Sequence, residues 1–177
     1  MYKKMVLKEI VVEGFKGFKE KRVIYLTDGK NTIIGENGEG KSSIGELICW
    51  VLTGKNLQGN TKELNVLNKD SKSVMGKIVF LDENGETHEI ERKMTKTTTL
   101  KFDNKRITQK NLESLVNTDI FLLIFNPLHF LSLDAQSARK SIYTLLPNIS
   151  KEDVMKRLSE KERVILAGEC FDIQDTN

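Results

Sequence analysis

The chain has 177 residues, 38% hydrophobic and 30% charged, with a net charge of +3 and a mean hydropathy of −0.36; that length carries one domain with a real core, or one lobe of a larger one, of soluble globular composition. No apolar run approaches the ~18 residues of a membrane span. The N-terminal Met1-Tyr-Lys-Lys-Met5 lacks the apolar core and small-residue cleavage site of a signal peptide, and Cys49 and Cys170 are too few and too far apart for a disulfide framework or a metal site, so the expectation is a cytoplasmic protein with reduced thiols and a mildly basic surface that permits nucleic-acid contact without requiring it.

Residues 5–12 are β-rich and partly alternating, which predicts a strand. Gly14-Phe-Lys-Gly-Phe18 interrupts it with a turn or bulge, a second strand runs from Lys21 to Leu26, and Asp28-Gly29 is a turn signal. Asn31 to Ile34 reads as a short apolar strand entering a glycine-rich loop. From Ser42 to Leu52 the apolar residues Ile44, Leu47, Ile48 and Val51 fall at helical spacing, with Gly54 as the C-cap. Residues 55–73 are polar and without period, a surface loop. A hairpin follows, 76–81 and 87–92 around Asp82-Glu-Asn-Gly85, then a strand pair about Asp103, and Thr108 N-caps a helix to about Val116. Ile120 to Phe125 is a continuous apolar run and reads as a buried strand, ended by Asn126-Pro127; helices are expected from Asp134 to Leu146 and over roughly 151–167.

Gly35, Gly40, Lys41 and Ser42 complete the pattern Gly-x4-Gly-Lys-Ser between an apolar strand and an amphipathic helix, the Walker A phosphate-binding loop. Glycines let successive backbone N–H groups turn inward toward phosphate oxygens, and the helix that starts there adds the positive end of its dipole. Lys41 is expected to reach the β- and γ-phosphates, Ser42 to ligate Mg2+ and Ser43 to donate to the α-phosphate, so the ligand is a nucleoside triphosphate, ATP with Mg2+. The loop residues assigned to ATP are Gly35, Asn37, Gly38, Glu39, Gly40, Lys41, Ser42 and Ser43. The glycine spacing excludes a Gly-x-Gly-x-x-Gly dinucleotide site.

The segment Gly14 to Phe18, followed by Ile33-Ile-Gly-Glu-Asn-Gly-Glu-Gly-Lys-Ser-Ser43, resembles the N-terminal start of SMC, RecF and RecN type ATPases, in which Asn37 and Gly38 match a family-specific insert. The resemblance covers about residues 6–54. It implies an α/β P-loop NTPase of the ABC-ATPase head type, its N-terminal lobe holding a mixed core sheet and an antiparallel β meander followed by helices. Residues 1–147 would form that lobe and 148–177 a helix at the start of a coiled-coil arm. It further implies a head that dimerises by sandwiching two ATP molecules, acts on double-stranded DNA in repair, recombination or replication, and works with a nuclease or recombination partner, away from membranes. Lys16 is the candidate for a basic ATP contact, or else a lysine on a solvated β-edge. Asn126 stands where the ABC superfamily places a glutamine that contacts Mg2+ and the attacking water; it reads equally as a strand terminator.

The nearest approach to an apolar run ending in Asp-Glu is Leu81-Asp82-Glu83, which Asn84-Gly85 makes a hairpin turn, and no Leu-Ser-Gly-Gly-like signature occurs, so no catalytic residue is expected within residues 1–177; the resemblance places those motifs after the coiled coil, and the chain is expected to be an N-terminal half. The alternatives are a non-catalytic ATP-binding module and another P-loop NTPase such as a small kinase. His88 and His129 lie apart, without clustered ligands, and Trp50 and Phe80 are expected in the core.

Overall fold

A computed structural model of the chain describes residues 5–61, 65–116, 118–145 and 156–159. The helix expected over 151–167 lies outside them except at 156–159, as does Cys170. The chain divides into two compact units, Met1–Ser141 and Ile142–Asn177, and both the sheet and the glycine-rich loop belong to the first.

The frame of that unit is a six-stranded sheet in the order β2-β1-β3-β4-β5-β6, made of β1 (Val6–Glu13), β2 (Arg22–Tyr25), β3 (Val74–Leu81), β4 (Thr87–Met94), β5 (Thr98–Phe102) and β6 (Lys105–Arg106). Alternation fixes the register. Ile24, Ile10, Ile78, Ile90 and Phe102 stand in one cross-strand row on the inner face, and Ile10, Ile78 and Ile90 are fully buried, each worth roughly 2 kcal/mol of transfer free energy. The neighbouring outer row runs Val23, Val11, Lys77, Glu91, Lys101 and Arg106, with ion pairs Lys77–Glu89 at 3.1 Å and Lys101–Glu91 at 3.2 Å. The expected meander is present. Every ladder among the described residues is antiparallel, so these residues build no mixed core sheet around the helix.

Helix α1 (Lys41–Thr53) lies on the inner face. It comes so close at Gly76 that a Cβ there would meet Val51 at 2.6 Å and Leu47 at 2.8 Å. The expected stripe of Ile44, Leu47, Ile48 and Val51 is buried, and so are Cys49, Trp50 and Leu52, so the C-terminal half of the helix is buried all round. Gly54 ends it in the left-handed conformation, its N–H donating to the Trp50 carbonyl. Thr108 N-caps α2 (Gln109–Glu113) through Asn111 N–H. Trp50 and Phe80 are in the core, as expected.

Two expectations fail. Ile120 to Phe125 lies in a helix, α3 (Thr118–Phe125). A short apolar run carries no period to separate helix from strand, and here Phe121 stacks on Phe125 one turn later at 4.9 Å while Ile124 is left exposed. Asn31 to Ile34 forms no strand. A strand needs a ladder, and no described strand pairs with this segment; Ile33 and Ile34 are 44% and 88% exposed. The helix expected from Asp134 to Leu146 is α5 (Ala135–Leu145), and an unexpected short helix, α4 (Pro127–Ser132), precedes it directly after Asn126.

Candidate functional site

The glycine-rich loop sits at the N-terminus of α1. Gly38 (φ 93°) and Gly40 (φ 87°) take the left-handed conformation that other residues resist, and Gly40 is the helix N-cap, with no side chain covering the first-turn amides. Lys41 folds over the loop, its ammonium donating to the carbonyls of Gly35 at 2.8 Å and Glu36 at 2.6 Å. Glu39 accepts the Glu36 N–H on Oε2 at 2.8 Å. Ser42 is exposed in the first turn and Ser43 half-buried. Among the described residues the Ser42 hydroxyl takes no hydrogen-bond partner, and it is a hard oxygen of the kind Mg2+ accepts as one ligand beside phosphate and water; the residue fits the ion assigned to it.

The floor under the loop comes from the other motif segment. Phe15 and Phe18 exchange backbone hydrogen bonds at 2.9 and 2.8 Å, folding residues 15–18 into a tight turn with both rings buried. Gly14 must be glycine there, since its φ is +65° and a Cβ would fall 2.0 Å from the Ser73 carbonyl oxygen. Phe18 lies beneath Gly40, 3.1 Å from where a Cβ would stand, and Gly17 approaches the Gly40 Cα. The segments that carry the resemblance, remote in sequence, are therefore one packed unit. Beside them opens a cleft of about 540 Å³, lined by Gly38, Glu39 and Lys41 together with Val23, Ile24 and Ile33. Arg22 lies over the Phe18 ring, 5.7 Å from its centroid.

Lys16 does not line that cleft. Its backbone is left-handed (φ 46°), its N–H donates to the Val66 carbonyl at 2.8 Å, and its ammonium pairs with Glu46 on α1, facing a second cleft of about 260 Å³ shared with Trp50, Lys55, Asn56 and Gln58. Asn126 caps α4, accepting the Leu128 N–H at 3.2 Å, while its amide donates to the Leu57 carbonyl at 2.8 Å. It ties the loop after α1 to α4, as does His129, whose Nδ1 lies 3.2 Å from the Gln58 carbonyl oxygen. Phe125, at the end of α3, lies 3.7 Å from where a Cβ on Gly45 of α1 would stand.

The far end of α1 holds a residue that the sequence pattern did not single out. Arg92 of β4 is 5% exposed. Its Nε donates to the Val51 carbonyl at 3.1 Å and its Nη2 to Gln109 Oε1 at 2.5 Å, Gln109 donates in turn to the Leu52 carbonyl at 3.2 Å, and the guanidinium lies 6.0 Å from the Trp50 ring centroid. Burial pushes its pKa down to about 10. Strand parity was the available signal, since Arg92 alternates with Ile90 on the inward face. Burial likewise raises the Cys49 thiol pKa, which fits a reduced, unreactive core cysteine. His88 is not isolated either: Nδ1 lies 2.7 Å from Asp103 Oδ2, and Nε2 faces Asp82 and Glu86 at 3.8 and 4.0 Å.

Comparison with known proteins agrees with this geometry. The AAA_23 family, described as an AAA domain, matches residues 9–166. The chromosome partition protein Smc of Halobacteriovorax marinus is 42% identical over 60 residues, 32% of this chain and 5% of that protein; that of Bacillus subtilis is 39% identical over 62 residues, 33% of this chain and 5% of that protein. The chain thus spans about 5% of the length of the Smc proteins it matches. Among solved structures, one from a study of ATP-driven dimerization and DNA stimulated activation of SMC ATPases superposes with a TM-score of 0.56 at 18% identity, over 92% of this chain and 98% of that one. The recombination mediator RecF with ATP gives 0.55 at 23% identity, over 63% and 31%, and the SMC head domain from Thermotoga maritima 0.51 at 28%, over 62% and 41%. The chain belongs to the AAA_23 family and has the fold of the SMC and RecF ATPase heads.

Proposed function

We propose that residues 35–43 bind ATP with Mg2+, and that the chain is the ATP-binding half of an SMC/RecF-like ATPase acting on DNA. The observation that carries this reading is the loop itself. Its left-handed Gly38 and Gly40 turn the backbone around the uncapped N-terminus of α1, with the Lys41 ammonium folded over the same few residues. Lys41 would leave its two carbonyls for the β- and γ-phosphates, the first-turn amides and Ser43 would take the α- and β-phosphate oxygens, and Asn37, Gly38 and Glu39 would border the triphosphate. Mg2+ held by Ser42 would neutralise charge across the β- and γ-phosphates. Asn126 would stand for the glutamine that contacts Mg2+ and the attacking water in the ABC superfamily, and would have to leave its bond to the Leu57 carbonyl to do so.

The family resemblance extends the reading to a cytoplasmic protein that dimerises through two sandwiched ATP molecules and binds double-stranded DNA in repair, recombination or replication, with a nuclease or recombination partner. Hydrolysis would be completed by an acidic pair and a signature segment from outside residues 1–177. The reading is supported by the likeness to Smc proteins and to a structure from work on ATP-driven dimerization and DNA stimulated activation of SMC ATPases. Isothermal calorimetry of the 177-residue chain with MgATP tests it: K41A is expected to lose binding at least a hundredfold, about the 3 kcal/mol of a charge-assisted contact, and the chain alone to turn over no ATP. Unchanged affinity in K41A would sink the phosphate-loop assignment, and appreciable turnover the half-site account.

A further inference from the structure

The cleft that Gly38, Glu39 and Lys41 line also takes in residues remote from the loop in sequence, Phe18 and, from β2, Arg22, Val23 and Ile24. Its volume of about 540 Å³ is of the size that takes a whole small-molecule ligand. Among the described residues that line it outside the loop, Arg22 alone carries a polar side chain; the others are glycine or apolar. Arg22 is also held in place. Its backbone pairs with the fully buried Val12 of β1, and its guanidinium lies over the Phe18 ring, 5.7 Å from the centroid, within cation–π range. Phe18 is in turn buried beneath Gly40, the N-cap of α1. A planar cation is thus fixed on the same ring that floors the phosphate loop.

A nucleoside triphosphate has an anionic chain and one flat, weakly charged ring system. The loop answers the chain with Lys41 and the first-turn amides of α1. The surroundings of Arg22 answer the ring: an apolar lining gains from covering a base and loses from desolvating a phosphate, and a guanidinium plane stacks on aromatic faces, nucleobases included. We propose that the nucleobase lies in the apolar part of this cleft and stacks on the Arg22 guanidinium, which Phe18 backs on its other side. The inference rests on the nucleotide reading above and names the residue that holds the base at that same site.

Calorimetry of the 177-residue chain with MgATP and with magnesium tripolyphosphate, which keeps the phosphates and lacks the base, separates the two parts of the site. R22A is expected to bind MgATP about tenfold more weakly, the loss of one desolvated stacking contact, and to bind tripolyphosphate as the unmodified chain does. R22K keeps the charge without the plane and is expected to recover only a minor part of that loss. K41A is expected to lose both ligands. In the unmodified chain the Arg22 Nε–H resonance is expected to shift in NMR spectra with MgATP and to stay in place with tripolyphosphate, which tests the contact without a variant. The proposal is overturned if R22A weakens tripolyphosphate as much as MgATP, which would make Arg22 a phosphate contact. It is overturned as well if R22K binds MgATP like the unmodified chain, which would make the effect one of charge alone, or if R22A does, which would put the base elsewhere. Those results leave the nucleotide reading standing provided that K41A loses MgATP. If the unmodified chain binds neither ligand, the reading and the base subsite fall together.

Discussion

The two ends of α1 are built oppositely. At the N-terminus Gly40 supplies no side-chain cap, Ser42 is exposed and Lys41 reaches only backbone carbonyls. At the C-terminus the carbonyls of Trp50, Val51 and Leu52 are taken by Gly54 N–H, Arg92 and Gln109, under a buried arginine with an indole beside it. A helix of thirteen residues whose orphan donors must stay available at one end gains its fixity from the other, where capping and burial are complete. The cation at the C-terminus also complements the helix dipole, whose positive end lies at the proposed phosphate site. The site is thus held from its distal end by the sheet.

That contrast is most exposed at Arg92. R92M keeps the apolar stem but orphans the Val51 carbonyl and Gln109 Oε1, and is expected to cost about 3 kcal/mol, read as a lowered Tm and urea midpoint; a loss below about 1 kcal/mol would mean that the C-terminal anchor is dispensable. R92K should recover only part, since a lysine cannot serve Val51 and Gln109 with one planar fork. The converse lies at Gly40. G40A forces a left-handed alanine (φ 87°) against the Phe18 ring, and is expected to cost about 1–2 kcal/mol of stability while abolishing MgATP binding in calorimetry. If G40A bound normally, the N-terminal end would not be the site. The two variants should therefore separate, R92M acting chiefly on melting and G40A chiefly on binding.

The sheet and α1 were readable from the sequence for a physical reason. Alternation in β3 and β4, the 3.6-residue spacing of Ile44, Leu47, Ile48 and Val51, and the capping chemistry of Thr108 and Gly54 are local signals that packing reinforced. The loop motif was legible because its glycines are needed for backbone conformation. What was not legible depended on partners remote in sequence. Lys16 meets Glu46, Asn126 meets Leu57 and Arg92 meets Val51, and no spacing rule encodes such pairs. Ile33 and Ile34 had strand composition but no ladder partner among the described strands, and the apolar run before Asn126 had no period by which to choose helix over strand.

His88 gives the smallest expected effect and tests the contrast from outside α1, since it is another charge whose partners the fold assembles. The hydrogen bond to Asp103 is the main cause that raises its pKa above the ordinary value; burial opposes this, and the carboxylates of Asp103, Asp82 and Glu86 add to the rise. The folded imidazolium is therefore favoured over the unfolded one. Its contribution is fully present below the unfolded pKa of about 6.5 and is lost as pH rises through the folded value. Thermal melts of the 177-residue chain and of H88N between about pH 6 and 9 are expected to converge with rising pH, the advantage of the unmodified chain being confined to the acidic side. D103N should shrink that advantage, because it leaves the ring position intact and removes the first of the charges. MgATP affinity should keep the same ratio between the unmodified chain and H88N across this range, because the hairpin groups belong to neither end of α1. Melting curves that stay parallel over that same range would show that His88 stays neutral and serves only to stack on Phe102, at 5.3 Å between ring centroids.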